Sequence, residues 1–97
     1  MIQASTLKVD GKAHMGVRVD LPESPPLVLI IAEKGFVMCG FLNIDAAEKL
    51  GITAAMVSGV KTFEDVLAAE IKAATTKAKN LGVEMGMKGS EALRRMS

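Results

Sequence analysis

The sequence predicts an α+β fold: a small mixed or antiparallel sheet covered by a long helix, with an N-terminal β-hairpin used for oligomerisation. Three observations predict it. Residues 2–21 alternate apolar and polar side chains with a period of two, which is typical of half-buried strands. Residues 27–57 hold three short apolar runs, which indicate core strands. Residues 62–81 repeat apolar side chains every three or four positions, as an amphipathic helix does.

The overall composition is that of a globular protein, with 49% hydrophobic and 24% charged residues among 97. A net charge of +1 and the lack of Tyr and Trp argue against nucleic-acid binding. The single cysteine fits a reducing cytoplasm, since it cannot form an internal disulfide. The N-terminus does not resemble a signal peptide, and the longest apolar run, residues 27–32, is too short to span a bilayer. We therefore expect a cytoplasmic protein without a membrane partner.

The first unit, residues 1–21, is predicted to be a hairpin that turns at Asp10-Gly11. Apolar residues occupy odd positions on both strands. A two-residue loop would therefore place them on opposite faces, so the pattern predicts an odd-length loop or a bulge. A lone hairpin is marginally stable in water, so its apolar face should cover another subunit. The proline-rich residues 22–26 then form a linker to the core.

The core of this single predicted domain is residues 27–97. A short helix should begin at Asn43 or Asp45, both of which are good N-cap residues. Thr62 is the expected N-cap of the long helix over 62–81. Three strands are expected, at 27–33, 36–42 and 53–58.

Cys39, in the second core strand, is the one candidate nucleophile or redox thiol. Such a role needs a neighbouring base or a positive dipole to stabilise the thiolate. The alternative is a small buried apolar side chain, as free cysteines usually are. The only histidine, His14, lies at a polar position of the hairpin and is expected at the surface or an interface. With one His and one Cys, we expect no metal site.

A second candidate is the predicted strand-to-helix junction, where Ser58, Gly59, Lys61 and Thr62 follow the third core strand. A glycine turn, a lysine and a helix N-terminus can together hold an anion. The spacing of a P-loop or of a dinucleotide-binding fingerprint is absent, so plain helix capping is the alternative. Asn43, after the second core strand, is a further candidate for ligand binding.

Three separated segments resemble one known family. They are Lys-Gly-Phe-Val-Met-Cys-Gly at 34–40, Val-Ser-Gly-Val-Lys-Thr-Phe-Glu-Asp at 57–65 and Gly-Met-Lys-Gly-Ser-Glu-Ala-Leu at 86–93. In this order they resemble the YunC-like family, a small bacterial and archaeal family of unknown function. The resemblance implies a compact α/β domain whose N-terminal β region is used for tetramerisation. It implies no activity and no catalytic residues.

The function best supported by the sequence is binding of a small anionic molecule by a homo-oligomer, most simply a tetramer, at the Ser58–Thr62 junction. No cofactor is expected. One alternative is an enzyme that uses Cys39 in a site between subunits, helped by Asn43, Ser58 or Lys61. The other alternative is a purely structural assembly subunit.

Overall fold

The computed structural model describes residues 2–9 and 11–97, and these residues form one mixed sheet with helices on both faces. In that part of the chain, no helix has the length and apolar character needed to cross a membrane. The strands are β1 (Ile2–Val9), β2 (Lys12–Val19), β3 (Leu27–Ile31), β4 (Phe36–Met38), β5 (Ala54–Met56) and β6 (Ala73–Ala74). The helices are α1 (Ile44–Lys49), α2 (Phe63–Ala68), α3 (Thr76–Asn80) and α4 (Gly89–Arg95).

The six described strands lie in the sheet in chain order, from β1 to β6. Each neighbouring pair is antiparallel except β4 and β5, which are parallel. Parallel neighbours need a crossover, and α1 supplies it between β4 and β5. The mixed sheet with its helices confirms the predicted α+β fold class.

The connection in the β1–β2 hairpin differs from the predicted odd-length loop. Val9 pairs with Lys12, so two residues separate the strands, and Leu7 pairs with His14. Asp10, the first residue of the predicted turn, lies outside the described residues. The prediction was wrong because it assumed that only one face of the hairpin is apolar. The hairpin continues into the sheet through β2 and β3, so both of its faces carry apolar side chains.

One face of the sheet is covered by α2 and α4 and holds the main core. His14 points to this face and is 5% exposed within the chain, so the expectation of a histidine at the surface or an interface was wrong. Gly16 leaves room for the Phe63 ring, because a Cβ there would lie 2.7 Å from a ring carbon. The fully buried members of this core include Val28, Ile30, Val37, Val57, Val66, Leu93 and Met96.

The opposite face is covered only in part. Near α1 it holds a second cluster built on Met38, Ala47 and Ala54. Toward the hairpin, the paired side chains of Met15 and Ile31 remain 49% and 40% exposed, and Ile2 is exposed as well. We call the surface formed by Ile2, Met15 and Ile31 the open sheet face. An exposed apolar patch of this kind is typical of an interaction surface.

The predicted long helix over 62–81 is broken, which is the main correction to the fold. Helix α2 ends at Ala68, and the chain returns to the sheet, where β6 pairs Ala74 with Ala55. Thr75 then begins α3: its Oγ1 accepts a hydrogen bond from the Ala78 N–H at 3.4 Å and one from the Ala54 N–H at 3.1 Å. The apolar period is compatible with a helix, but pairing with β5 and a buried threonine cap override it.

Candidate functional site

A cavity of about 260 Å³ lies beyond the carboxyl ends of β4 and β5. It brings together four of the six residues that the sequence nominated: Cys39, Ser58, Gly59 and Lys61. The remaining lining residues, which sequence reasoning missed, are Pro25, Pro26, Gly40, Phe41 and Val60.

The parallel pairing of β4 and β5 creates the cavity. Met38 lies opposite Met56, and the Val57 N–H donates to the Met38 carbonyl at 2.9 Å. The segments that follow, 39–41 and 58–61, therefore leave the sheet side by side. The crevice outside the carboxyl ends of parallel strands is the usual position of ligands in such sheets.

Pro25 and Pro26 close one side of the cavity because β3 runs antiparallel to β4. The start of β3 therefore lies beside the end of β4, where the Cys39 N–H donates to the Val28 carbonyl at 3.1 Å. The prolines add apolar surface without a backbone donor. The short connection between the predicted strands at 27–33 and 36–42 was the signal that could have placed these residues here, instead of in a linker alone, because so short a connection favours an antiparallel pair.

Cys39 borders the cavity with a thiol that is almost closed to solvent. The residue is 3% exposed, and its Sγ accepts a hydrogen bond from the Val28 N–H at 3.4 Å. His14 is not available as its base. Met15 pairs with Ile31, so His14 is level with Ala32, about 13 Å along the strand from Val28 at 3.3 Å per residue. The thiol is therefore better placed as a polarizable wall than as a nucleophile.

Four of the residues that line the cavity have backbone N–H groups without a partner in the described part of the chain. Across residues 2–9 and 11–97, the N–H groups of Gly40, Phe41, Ser58 and Gly59 donate no hydrogen bond within the protein. Gly59 turns the chain with a φ of +70°, a conformation that glycine adopts without strain. The exposed Lys61 adds a positive charge at the same rim. Donors and positive charge together favour an anion.

The N-terminus of α2 is already occupied by a carboxylate from the protein. Asp65 Oδ2 accepts the N–H groups of Lys61 at 3.0 Å and Thr62 at 3.2 Å, and Thr62 Oγ1 accepts the Asp65 N–H at 3.1 Å. The hydrogen bond from the Lys61 N–H, with those from Thr62, lowers the pKa of Asp65. Thr62 therefore caps the helix and does not line the cavity.

Asn43 has a capping role as well. Its Oδ1 accepts the N–H groups of Asp45 at 2.8 Å and Ala46 at 3.2 Å, which makes it the N-cap of α1. Asn43 does not line the cavity. Within the described part of the chain, no group of three or more His, Cys, Asp or Glu side chains is placed to hold a metal ion.

A known family of proteins shares the part of the chain that forms most of this cavity. Residues 38–96, more than half of the chain, match the model of a domain of unknown function, DUF1805. The chain belongs to the DUF1805 family. The matched residues of the DUF1805 domain include both cavity segments, 39–41 and 58–61, but neither the hairpin nor the prolines.

Two relatives extend the DUF1805 match to the whole chain. The uncharacterized protein YunC of Bacillus subtilis is 30% identical over 100 residues, which cover 99% of this chain and 98% of YunC. The crystal structure of TA1206, a protein of unknown function from Thermoplasma acidophilum, has a TM-score of 0.93 and 32% identity. That match covers 100% of this chain and 94% of TA1206. The resemblance to the YunC-like family is therefore confirmed.

Proposed function

We propose that this chain is a single-domain, cytoplasmic, homo-oligomeric protein that binds a small anion with a short apolar body in the cavity at the ends of β4 and β5. The observation that carries the proposal is the convergence of Cys39 with Ser58, Gly59 and Lys61 around one cavity. These residues come from two chain segments that are separate in sequence, and only the parallel strand pair brings them together.

The anionic group is best accommodated at the rim, where the Ser58 and Gly59 N–H groups are unpaired and Lys61 is exposed. The corresponding donors at the start of α2 are already bound to Asp65, so the proposed anion position is the turn and not the helix end. The sequence-based proposal placed the anion at the whole Ser58–Thr62 junction. The position proposed here is the turn alone, without Thr62.

The apolar body is best accommodated inside, against Pro25, Pro26, Phe41, Val60 and Cys39. The volume of about 260 Å³ is slightly below the range of about 300–1,000 Å³ that is usual for drug-sized ligands. A short-chain carboxylate has the matching chemistry: one anionic end and a small apolar tail.

Binding is favoured over thiol catalysis. A catalytic cysteine needs solvent access and a base within hydrogen-bond reach, whereas Cys39 is buried and its Sγ accepts a backbone N–H. In the binding proposal the thiol only supplies apolar, polarizable contact.

Self-association is supported by the open sheet face. Its apolar side chains include Met15 and Ile31, which lie on neighbouring strands of one sheet. Two such faces can stack as sheets do in a sandwich, about 10 Å apart. A second copy of the chain is the proposed occupant, and a tetramer is the proposed assembly. The lone free cysteine is consistent with the proposed cytoplasmic location.

The test is isothermal titration of the intact protein with butyrate and with inorganic phosphate. Butyrate should bind, and its affinity should fall as salt is added, because part of the attraction comes from the charge of an exposed lysine. Lys61→Ala should weaken binding about two- to fivefold, the range for an exposed charge. Lys34→Ala, at the other end of β4, is the matched control and should leave binding unchanged.

Gly40→Leu tests the cavity itself. A Cβ at Gly40 meets nothing within 4 Å, and its φ lies outside the left-handed region, so the fold should tolerate the change. Because Gly40 lines the cavity, a leucine side chain there should compete for the space of the ligand and abolish butyrate binding. Ala68→Leu, on the exposed side of α2, is the control for added apolar bulk. Wild-type affinity in Gly40→Leu, or no binding of either probe to the wild type, would contradict the proposed function.

A further inference from the structure

The backbone of Lys61 is held from two sides. Its N–H donates to Asp65 Oδ2 at 3.0 Å, and its carbonyl accepts the Arg18 Nε–H at 2.9 Å. Arg18 belongs to β2 and is 43 residues away in sequence. Arg18 does not line the 260 Å³ cavity; it borders a second cavity on the hairpin side, with Gln3, Thr62, Phe63 and Glu64.

The segment 58–61 has few other restraints. The N–H groups of Ser58 and Gly59 are unpaired, and both residues are exposed. Val60 is buried and anchors the segment by apolar contact. Among the hydrogen bonds of the described residues, the one from Arg18 is the only one that ties this segment to the hairpin.

Arginine suits this task because its guanidinium presents several donors in one plane. While Nε donates to the Lys61 carbonyl, Nη1 lies 3.0 Å from Asp20 Oδ1, so the side chain is fixed between two acceptors. Lysine keeps the charge but has a single nitrogen and cannot reproduce this planar arrangement.

We propose that Arg18 is a positioning residue for the ligand site: it holds the Ser58–Lys61 turn so that the turn amides stay preorganised for an anion. This inference rests on the proposed function. Arg18 acts through a carbonyl of the turn and touches no ligand. Preorganisation lowers the entropic cost of ordering the turn on binding. Loss of Arg18 should therefore lower the affinity for the ligand without removing a contact to it.

The test compares wild type, Arg18→Lys and Arg95→Lys. The last variant is a matched control, because Arg95 is also exposed and paired, with Glu91 on α4. The ¹⁵N order parameters of Ser58 and Gly59 should fall in Arg18→Lys from near 0.85 toward about 0.6, the range between rigid and flexible backbone. The amides of the remaining residues should be unchanged, which a general loss of stability would not produce. Butyrate should bind about fivefold more weakly, the effect of one hydrogen bond.

Lys61→Ala separates positioning from charge, since it removes the side chain and retains the carbonyl that Arg18 binds. It should weaken butyrate while leaving the order parameters of the turn unchanged. Unchanged order parameters in Arg18→Lys would overturn the role of Arg18. If the wild type binds neither butyrate nor phosphate while Arg18→Lys still loosens the turn, the proposed function fails and the positioning of the turn by Arg18 stands.

Discussion

The Gly89→Ala substitution tests how closely α4 packs on α2. A Cβ at Gly89 would lie 2.0 Å from the Val66 carbonyl oxygen and 3.0 Å from its carbon. Ordinary contact begins at 3.4 Å, so α4 must move by about 1.4 Å, the difference between 3.4 and 2.0 Å. That movement strains the hydrogen bond from the Gly89 N–H to the Ala69 carbonyl at 2.8 Å. It also disturbs the packing of the fully buried Leu93 and Met96.

Two opposing terms decide the stability of this variant. Replacing glycine by alanine in the middle of a helix stabilises by about 0.5–1 kcal/mol, which is the upper limit for Gly89 at the first position of α4. Overpacking a core costs about 1–3 kcal/mol, and the upper end applies here because the obstacle is backbone rather than a flexible side chain. We expect a net destabilisation of about 2 kcal/mol, which lowers Tm by about 8–16 °C in a domain of this size.

The assay is thermal unfolding followed by circular dichroism, at one protein concentration because Tm depends on concentration in an oligomer. Gly40→Ala is the matched control, since its added Cβ meets no atom within 4 Å. Its free energy of unfolding should stay within about 0.5 kcal/mol of wild type. A Gly89→Ala protein as stable as the wild type, or more stable, would refute the close approach of α4 to α2.

Two further predictions concern a buried titratable group and the assembly surface. Burial, with a contribution from the charge of Lys12, lowers the pKa of His14 below its ordinary 6.5, so the unfolded chain binds the proton more tightly. The free energy of unfolding should therefore fall as pH drops below about 6.5 toward the folded-state pKa, by at most about 1.4 kcal/mol per pH unit. Urea unfolding between pH 7 and 5 should show this slope in the wild type and not in His14→Gln. Sedimentation should show that the double variant Met15→Glu, Ile31→Glu is a smaller species than wild type, while Met85→Glu, a control on a residue 57% exposed, assembles normally. A wild-type slope in His14→Gln, or an intact oligomer of the double variant, would contradict these predictions.

Much of the fold follows from local patterns in the sequence. Alternation predicted the strands of the hairpin, and the apolar runs predicted β3, β4 and β5 within a few residues. The break after Ala68 did not follow, because an apolar spacing of three or four fits both a long helix and two short helices around β6. Pairing of β6 with β5 is a tertiary effect that no local propensity reports.

The prediction of which hairpin face is buried was wrong for a related reason. The odd positions of the apolar residues were interpreted as if the other face of the hairpin were exposed to solvent. In the structure, His14 and Gly16 face the helices and Met15 faces the opposite side. A buried histidine and a glycine that admits the Phe63 ring do not stand out as core residues in the sequence. Their burial depends on how β2 continues into β3.

The candidate site was predictable in its parts but not as a whole. Cys39 and the Ser58–Lys61 turn were each identifiable from residue type and position. Their convergence requires β4 and β5 to be parallel neighbours, and the sequence left the strand directions open. Thr62 was nominated because capping and anion binding use the same donor chemistry, and Asn43 was nominated as a group that could assist Cys39. The structure assigns both to caps.

The most direct measurement is a ¹H–¹⁵N correlation titration of the intact protein with butyrate. We expect that the amides of Gly40, Phe41, Ser58 and Gly59 shift together and saturate with one Kd, because these residues line the same cavity. The amides of Thr62 and Asp65, at the capped helix start, should move little. Shifts confined to the helix start or scattered over the surface, or no saturable shift at all, would contradict the assignment of this cavity as the binding site.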